Sequence, residues 1–254
     1  DCKDHRRDRG MRGEQESRCL AWVREHLYGP ETRFFCHDKR KIAAILKRAK
    51  PNSEASKFPD FVFEDGFIEH FQITASKENK KGACHKQAQA EFHREMDCVQ
   101  EKLRQDLEKS PLPIQNTIST ISYEMLPPEY SYEMFQSSFR KNLEHHIGSL
   151  QKYTGAKNIG IFLVEYVGPL FKTMRDGDFV HFYQLHEDVE MLRILDEYKE
   201  QISYIVFMDG HYCEVIDQQQ ISLIIKHTFK DIVFQVSRWR EIEGFSVIDI
   251  ARRL

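Results

Sequence analysis

The sequence predicts an α/β protein in which a mixed central sheet is flanked by helices. Two nearly continuous apolar runs, at residues 158–166 (NIGIFLVEY) and 202–208 (ISYIVFM), are typical of strands buried on both faces. Segments whose apolar residues recur with helical spacing separate the predicted strands. This alternation favours one sheet whose parallel neighbours are joined by right-handed crossovers.

The chain is predicted to begin with two helices. Residues 14–28 carry a buried stripe that includes Leu20 and Val23, and Glu16 lies on the same stripe, four residues before Leu20. A second, basic helix is expected at residues 39–50, because Pro51 cannot continue a helix.

A hairpin follows, and then a third helix at about residues 84–108, with Phe92, Val99 and Leu103 on its apolar face. The SPLP segment at 110–113 ends this helix.

The second half continues the alternation. A helix at 130–153 precedes the first apolar run, and residues 168–179 (GPLFKTMRDGDF) are rich enough in turn residues to be predicted as a connection. The remaining predicted elements are a helix within 185–198, the second apolar strand, a short strand within 211–216, a helix at 218–229 and a strand at 231–236.

Length and composition indicate one domain, residues 1–254, with a core at about 14–208 and a C-terminal extension at about 209–254. No apolar run reaches the ~20 residues of a membrane span, and the charged N-terminus lacks the apolar segment of a secretory signal. We therefore expect a cytoplasmic protein without membrane contact, and a homo-oligomer is compatible with the sequence. The six cysteines form no C-x-x-C pair, so reduced thiols are expected rather than a zinc site.

The segment FPDFVFEDGFIEHFQITASKENKKG, residues 58–82, carries the candidate chemistry. Asp-Gly between two apolar runs is a strong hairpin signal, and the hairpin brings Asp60 close to Glu69. Two neighbouring carboxylates repel each other unless a cation lies between them, and hard divalent cations prefer oxygen ligands. The sequence therefore predicts a Mg²⁺ or Mn²⁺ site that includes Asp60 and Glu69.

The hairpin register determines which side chains face Asp60, and the sequence leaves two registers open. A two-residue Asp65-Gly66 loop pairs Asp60 with Phe71 and places Glu69 on the face of the aspartate. A three-residue loop that also includes Glu64 pairs Asp60 with His70. A shift of one residue turns every side chain to the opposite face.

Basic residues suggest a polyanionic partner. Residues 1–110 hold 23 Lys or Arg against 20 Asp or Glu, although the whole chain has a net charge of −3. Basic clusters lie within residues 39–50 and again at Lys77, Lys80 and Lys81. Lys and Arg supply most contacts to the phosphate backbone, so nucleic acid is the expected partner.

These residues resemble the restriction-endonuclease-like PD-(D/E)xK nuclease superfamily. The order of elements matches over about residues 14–208, and Pro59-Asp60 together with Glu69 match the signature. The resemblance implies a restriction-endonuclease-like core with a helical insertion, in which Asp60 and Glu69 bind Mg²⁺. It also implies DNA rather than RNA as the preferred nucleic acid. A lysine two residues after the glutamate orients or activates the attacking water in that family.

The chain departs from the family pattern at this lysine, because Phe71 occupies its position. The positive charge is then expected from Lys77 or from another lysine beyond the strand. Alternatively, the working pair is shifted by one residue, so that His70 and Gln72 face the site. Glu16 on the first helix is a further candidate metal ligand.

The expected function is therefore a metal-dependent nuclease that hydrolyses phosphodiester bonds in DNA or RNA, with Asp60, Glu69, Gln72 and Lys77 as candidate catalytic residues. The missing strand lysine keeps an alternative open, in which a catalytically degenerate nuclease-like fold binds nucleic acid or protein as a regulatory module. Fold alone does not separate these two functions.

Overall fold

A computed structural model describes residues 13–54, 57–76, 78–79, 82–83, 98, 101, 105, 122–125, 130–168, 171–176, 178–230, 232–236 and 239–242. The helices are α1 (Glu14–His26), α2 (Lys39–Arg48), α3 (Tyr132–Lys152), α4 (Val189–Asp196) and α5 (Ile221–His227). The strands are β1 (Thr32–Phe35), β2 (Lys50–Pro51), β3 (Phe61–Phe63), β4 (Gly66–Ile73), β5 (Glu78–Asn79), β6 (Gly82–Ala83), β7 (Ser122–Met125), β8 (Ile159–Tyr166), β9 (Phe171–Arg175), β10 (Asp178–Phe182), β11 (Tyr204–Met208), β12 (Cys213–Asp217), β13 (Ile232–Val236) and β14 (Trp239–Ile242).

Seven strands form the main sheet in the order β1-β12-β11-β8-β4-β3-β2. The pairs β1 with β12, β11 with β8 and β4 with β8 are parallel, and the other neighbours are antiparallel. The two long apolar runs thus form β8 and β11 at the centre of the sheet, and most of their residues are buried, as predicted. The mixed central sheet flanked by helices is confirmed.

Helices cover both faces of this sheet. On one face α1 and α2 bury Leu20, Val23 and Leu46 against strand residues that include Ile68 and Leu163. On the other face α3, α4 and α5 pack on the alternate residues of the same strands. Their contacts include Phe135, Phe139, Leu143, Leu192 and Ile221 against Phe67, Phe71, Phe162 and Val164. Consecutive residues of β4 and β8 therefore belong to different cores.

The hairpin β3–β4 is antiparallel as predicted, but neither predicted register occurs. Phe63 pairs with Gly66, so the turn consists of Glu64 and Asp65 alone. Gly66 cannot serve as a turn residue because it lies in the strand against β8, where a Cβ atom would be 1.8 Å from the carbonyl oxygen of Ile159. A strand glycine here allows the close approach of a neighbouring backbone.

The predicted connection at residues 168–179 is wrong. Its described residues form β9 and β10, which pair antiparallel, and β13 pairs with β9 to complete a three-stranded sheet. Phe171 and Thr173 are buried while Lys172 is exposed, which is the two-residue period of a half-buried strand. The turn signal at Asp176 marks the tip of this hairpin.

Several predictions fall outside the described residues. These include Lys77, Lys80, Lys81 and the contacts of Phe92, Val99 and Leu103, although Cys98, Glu101 and Gln105 are helical. Four cysteines that the structure describes, Cys19, Cys36, Cys98 and Cys213, are free thiols, as predicted. None of the described helices has the length and apolar character needed to cross a membrane.

Candidate functional site

Asp60 directly precedes β3 and lies beside β4. Because Phe61 pairs with Ile68, Asp60 comes next to Glu69. The backbone N–H of Asp60 donates to Glu69 Oε2 at 3.1 Å, and the backbone N–H of His70 donates to Asp60 Oδ2 at 2.8 Å. The two carboxylates thus accept hydrogen bonds from backbone N–H groups at this position, and these hydrogen bonds fix both side chains relative to β4.

Burial makes both of these carboxyl groups weak acids. Burial, with a further contribution from Glu69, raises the pKa of Asp60 to about 6. Burial also raises the pKa of Glu69 to about 8, and the Glu16 carboxylate on α1 adds to the pKa rise at both sites. Among the described residues, no Lys or Arg side chain pairs with Asp60 or Glu69. The negative charge of the ionised carboxyl groups must therefore be balanced either by protons or by a cation.

Glu69 faces α3 and contacts a histidine there. His146 Nδ1 lies 2.6 Å from Glu69 Oε1, and the imidazole stacks on Phe71 with ring centroids 4.8 Å apart. Burial lowers the pKa of His146 to about 4. Since burial disfavours both charged forms, we assign this contact as a hydrogen bond between a protonated Glu69 and a neutral imidazole rather than as an ion pair.

His70 and Gln72 face the opposite way, toward α1. His70 Nε2 lies 2.9 Å from Glu165 Oε2, and the Gln72 amide donates to the same oxygen at 2.9 Å. Gln15 on α1 donates to that oxygen at 3.3 Å. Glu165 comes from β8, directly opposite Gln72 in the parallel register. This face therefore collects three donors around one carboxylate.

The thiol of Cys19 on α1 completes a group that can hold a metal ion. One ligand atom each from Cys19, His70 and Glu165 lies within 4.8 Å of the others. Cys19 is buried, and its thiol contacts Met208 Sδ at 3.0 Å. Burial, followed by the negative charge of Glu165, raises the pKa of the Cys19 thiol far above its ordinary value.

Comparison of the chain with protein-family models, with curated proteins and with solved structures finds no match. The function must therefore be argued from the chemistry of the site itself.

The structure separates the predicted site residues into two groups. It brings Asp60 together with Glu69, with Glu16 near enough to raise both pKa values, and it places Gln72 on the opposite face of β4 beside His70. Lys77 lies outside the described residues. The shifted pair of His70 and Gln72 therefore faces α1, whereas Glu69 faces α3.

The predicted site did not include Glu165, His146 or Cys19. Glu165 is the one acidic residue in the apolar run of β8, and a charge in a predicted buried strand is a usable signal for a site. Cys19 and His146 lie on helices at ordinary positions, so only the packing of α1 and α3 on the sheet reveals their neighbours.

Proposed function

We propose that the protein is a metal-dependent phosphodiesterase, most simply a nuclease, whose site is centred on Asp60. The supporting observation is the contact of Asp60 with Glu69, a carboxyl pair that Glu16 on α1 influences electrostatically and that has no Lys or Arg partner among the described residues. A cation would replace the protons that otherwise hold such carboxyl groups neutral.

The oxygen donors of this group fit Mg²⁺ or Mn²⁺. Asp60 and Glu69 would hold the ion, with Glu16 as a further ligand from α1, because hard divalent cations prefer carboxylate oxygens. Such an ion would polarise a scissile phosphate and lower the pKa of a bound water. The backbone N–H of Asp60 orients the Glu69 carboxylate and the backbone N–H of His70 orients the Asp60 carboxylate before any ligand arrives.

His146 supplies a base where the family pattern has a lysine. Phe71 occupies the lysine position and stacks on the His146 imidazole, which also contacts Glu69. Once Glu69 is ionised, its charge stabilises a protonated imidazole, so His146 can accept a proton from the attacking water. Gln72 is bound to Glu165 on the other face and orients that carboxylate.

The basic surface of α2 supports nucleic acid as the substrate class. Lys39, Arg40, Lys41, Lys47 and Arg48 are all exposed on this helix. Exposed Lys and Arg side chains bind phosphate groups without reading sequence. The order of α1, β3, β4 and β8 is similar to that of the restriction-endonuclease-like core, which adds to this proposal.

The test is hydrolysis of single- and double-stranded DNA and RNA with Mg²⁺ or Mn²⁺. Asp60→Asn should reduce the rate at least ~100-fold, because it removes a charge-stabilising group, and a chelator should abolish hydrolysis. Asp65→Asn, in the exposed turn of the same hairpin, should leave the rate unchanged. Equal rates for both variants would exclude Asp60 from the site.

A second pair of variants tests the base. His146→Gln should reduce hydrolysis by about 100-fold, the typical contribution of a general base. His145→Gln is the matched control, since His145 is the exposed neighbour on the same helix. Equal losses in both variants would contradict the role of His146.

The alternative function is a nuclease-like module that binds without catalysis. The buried Phe71 at the lysine position favours it, because an apolar ring cannot hold water or charge. Calorimetric binding of Mn²⁺ that depends on Asp60, without hydrolysis of any of the four nucleic acids, would support this alternative.

A further inference from the structure

We propose that Cys19, His70 and Glu165 form a second metal site that takes a thiophilic transition ion, with Zn²⁺ as the natural occupant. The proposal goes beyond the hydrolytic site, since it uses the α1 face of β4 and none of Asp60, Glu69 or His146. Each of its three ligands comes from a different element, namely α1, β4 and β8.

The spacing of the three ligand atoms suits a zinc ion after small side-chain movements. Bonds of about 2.0–2.3 Å at tetrahedral angles place the ligand atoms about 3.5 Å apart. In the structure these atoms lie within 4.8 Å of one another, and the His70 and Glu165 atoms are already 2.9 Å apart. Because all three residues lie on regular elements, only side-chain rotations are needed.

The donor set selects the metal. A sulfur, an imidazole nitrogen and a carboxylate oxygen match the ligands of zinc, whereas Mg²⁺ prefers oxygen donors alone. Three protein ligands leave a fourth position for water or another molecule, which is the pattern of open zinc sites. The Glu165 side chain is 20% exposed, so that the site can be reached from solvent.

Neighbouring amide side chains orient the Glu165 carboxylate through hydrogen bonds, as is common around metal ligands. The amides of Gln15 and Gln72 both donate to Glu165 Oε2 and hold that carboxylate toward His70. Such outer hydrogen bonds commonly fix metal-binding carboxylates. On binding, the Cys19 thiol would lose its proton to solvent as the metal–sulfur bond forms, and it would exchange its contact with Met208 for the ion.

Co²⁺ provides a direct spectroscopic test with the full chain. A cobalt ion bound to Cys19 should produce the sulfur-to-cobalt charge-transfer absorption, and Zn²⁺ should displace it while excess Mg²⁺ should not. Cys19→Ser should abolish the band, whereas Cys36→Ser should keep it, because Cys36 is a half-buried free thiol just beyond β1. Absence of the band in the unaltered protein, or its persistence in Cys19→Ser, would overturn the proposal.

Two further variants make the test decisive. If circular dichroism shows that Cys19→Ser does not fold, Glu165→Gln decides the question, and it should weaken Zn²⁺ binding at least about tenfold. Unchanged Zn²⁺ affinity in Glu165→Gln would contradict the site. Asp60→Asn should keep the cobalt band although it removes hydrolysis, so failure of this site and failure of the proposed nuclease are distinguishable.

Discussion

At the scale of single residues, the neighbouring residues Glu69 and His70 on β4 belong to two different candidate sites. Glu69 contacts His146 on α3, and His70 contacts Glu165 on the α1 side. Strand geometry requires this division, because successive side chains point to opposite faces. Asp60 is bound to both through the backbone, since its N–H reaches Glu69 and its carboxylate accepts the N–H of His70. Asp60→Asn removes the charge but keeps an oxygen acceptor for the N–H of His70, so that the α1 face should be preserved.

The raised pKa of Glu69 predicts a pH-dependent stability. Between its ordinary pKa of 4.5 and its folded pKa of about 8, folded Glu69 keeps a proton that the unfolded chain releases. The contribution of protonated Glu69 to the free energy of unfolding is thus complete at low pH and is lost as the pH rises toward about 8. Asp60, whose pKa is raised to about 6, likewise lowers the free energy of unfolding as the pH rises toward that value. His146, whose pKa is lowered from 6.5 to about 4, raises the free energy of unfolding as the pH rises between these two values.

Above pH 6.5, the change in stability with pH therefore reports mainly on Glu69, because Asp60 and His146 titrate at lower pH. In the presence of a chelator, the free energy of unfolding should fall by about 1–2 kcal/mol from about pH 6.5 to about pH 8. Glu69→Gln, which keeps the size of the side chain, should remove this slope. Urea denaturation at several pH values measures it, and an identical slope in both proteins would show that Glu69 is ionised in the fold.

At the scale of elements, the junction of β4 with β8 determines where the site forms. Gly66 allows β8 to approach at the start of β4, and the parallel register then places Glu165 opposite Gln72. The same glycine excludes the Asp65-Gly66 turn, which fixes the hairpin so that Asp60 comes next to Glu69. The site therefore depends on strand register as much as on its own side chains.

Gly66→Ala should destabilise the protein strongly. The added Cβ would lie 1.8 Å from the Ile159 carbonyl oxygen, so the two central strands must separate. Overpacking of this kind costs about 1–3 kcal/mol or more. Gly148→Ala is the matched control, because its Cβ on α3 meets nothing within 4 Å, and it should stabilise by about 0.5–1 kcal/mol. Urea unfolding of both variants tests the prediction, which equal stabilities would contradict.

The sequence predicted most of the elements and the proximity of Asp60 to Glu69, but not the strand register that brings them together. Apolar patterns identified α1, α3, β8 and β11, because each buries a regular stripe or run. The turn signal of Asp65-Gly66 was misleading, since the contact of Gly66 with β8 is nonlocal and outweighs local turn preference. Cys19 and His146 were missed for the same reason: their partners lie far away in sequence.

At the scale of the whole molecule, the C-terminal part of the chain completes the main sheet. β12 lies between β1 and β11, and its residues Cys213, Val215 and Ile216 are fully buried. The strand thus joins the N-terminal β1 to the rest of the sheet, since β1 pairs in parallel with β12. Residues beyond 208 also supply α5 and β13, which cover the second face.

A chain that ends at Met208 should therefore not fold. It would lose β12 from the interior of the sheet, and each large aliphatic side chain removed from a core costs about 2–5 kcal/mol. Several such losses exceed the roughly 5–15 kcal/mol that stabilises a typical domain. A chain that ends at Ile242 keeps every described strand and should retain cooperative thermal unfolding by circular dichroism. Cooperative unfolding of the shorter chain at an unchanged temperature would mean that residues 14–208 form a complete core and that β12 is dispensable.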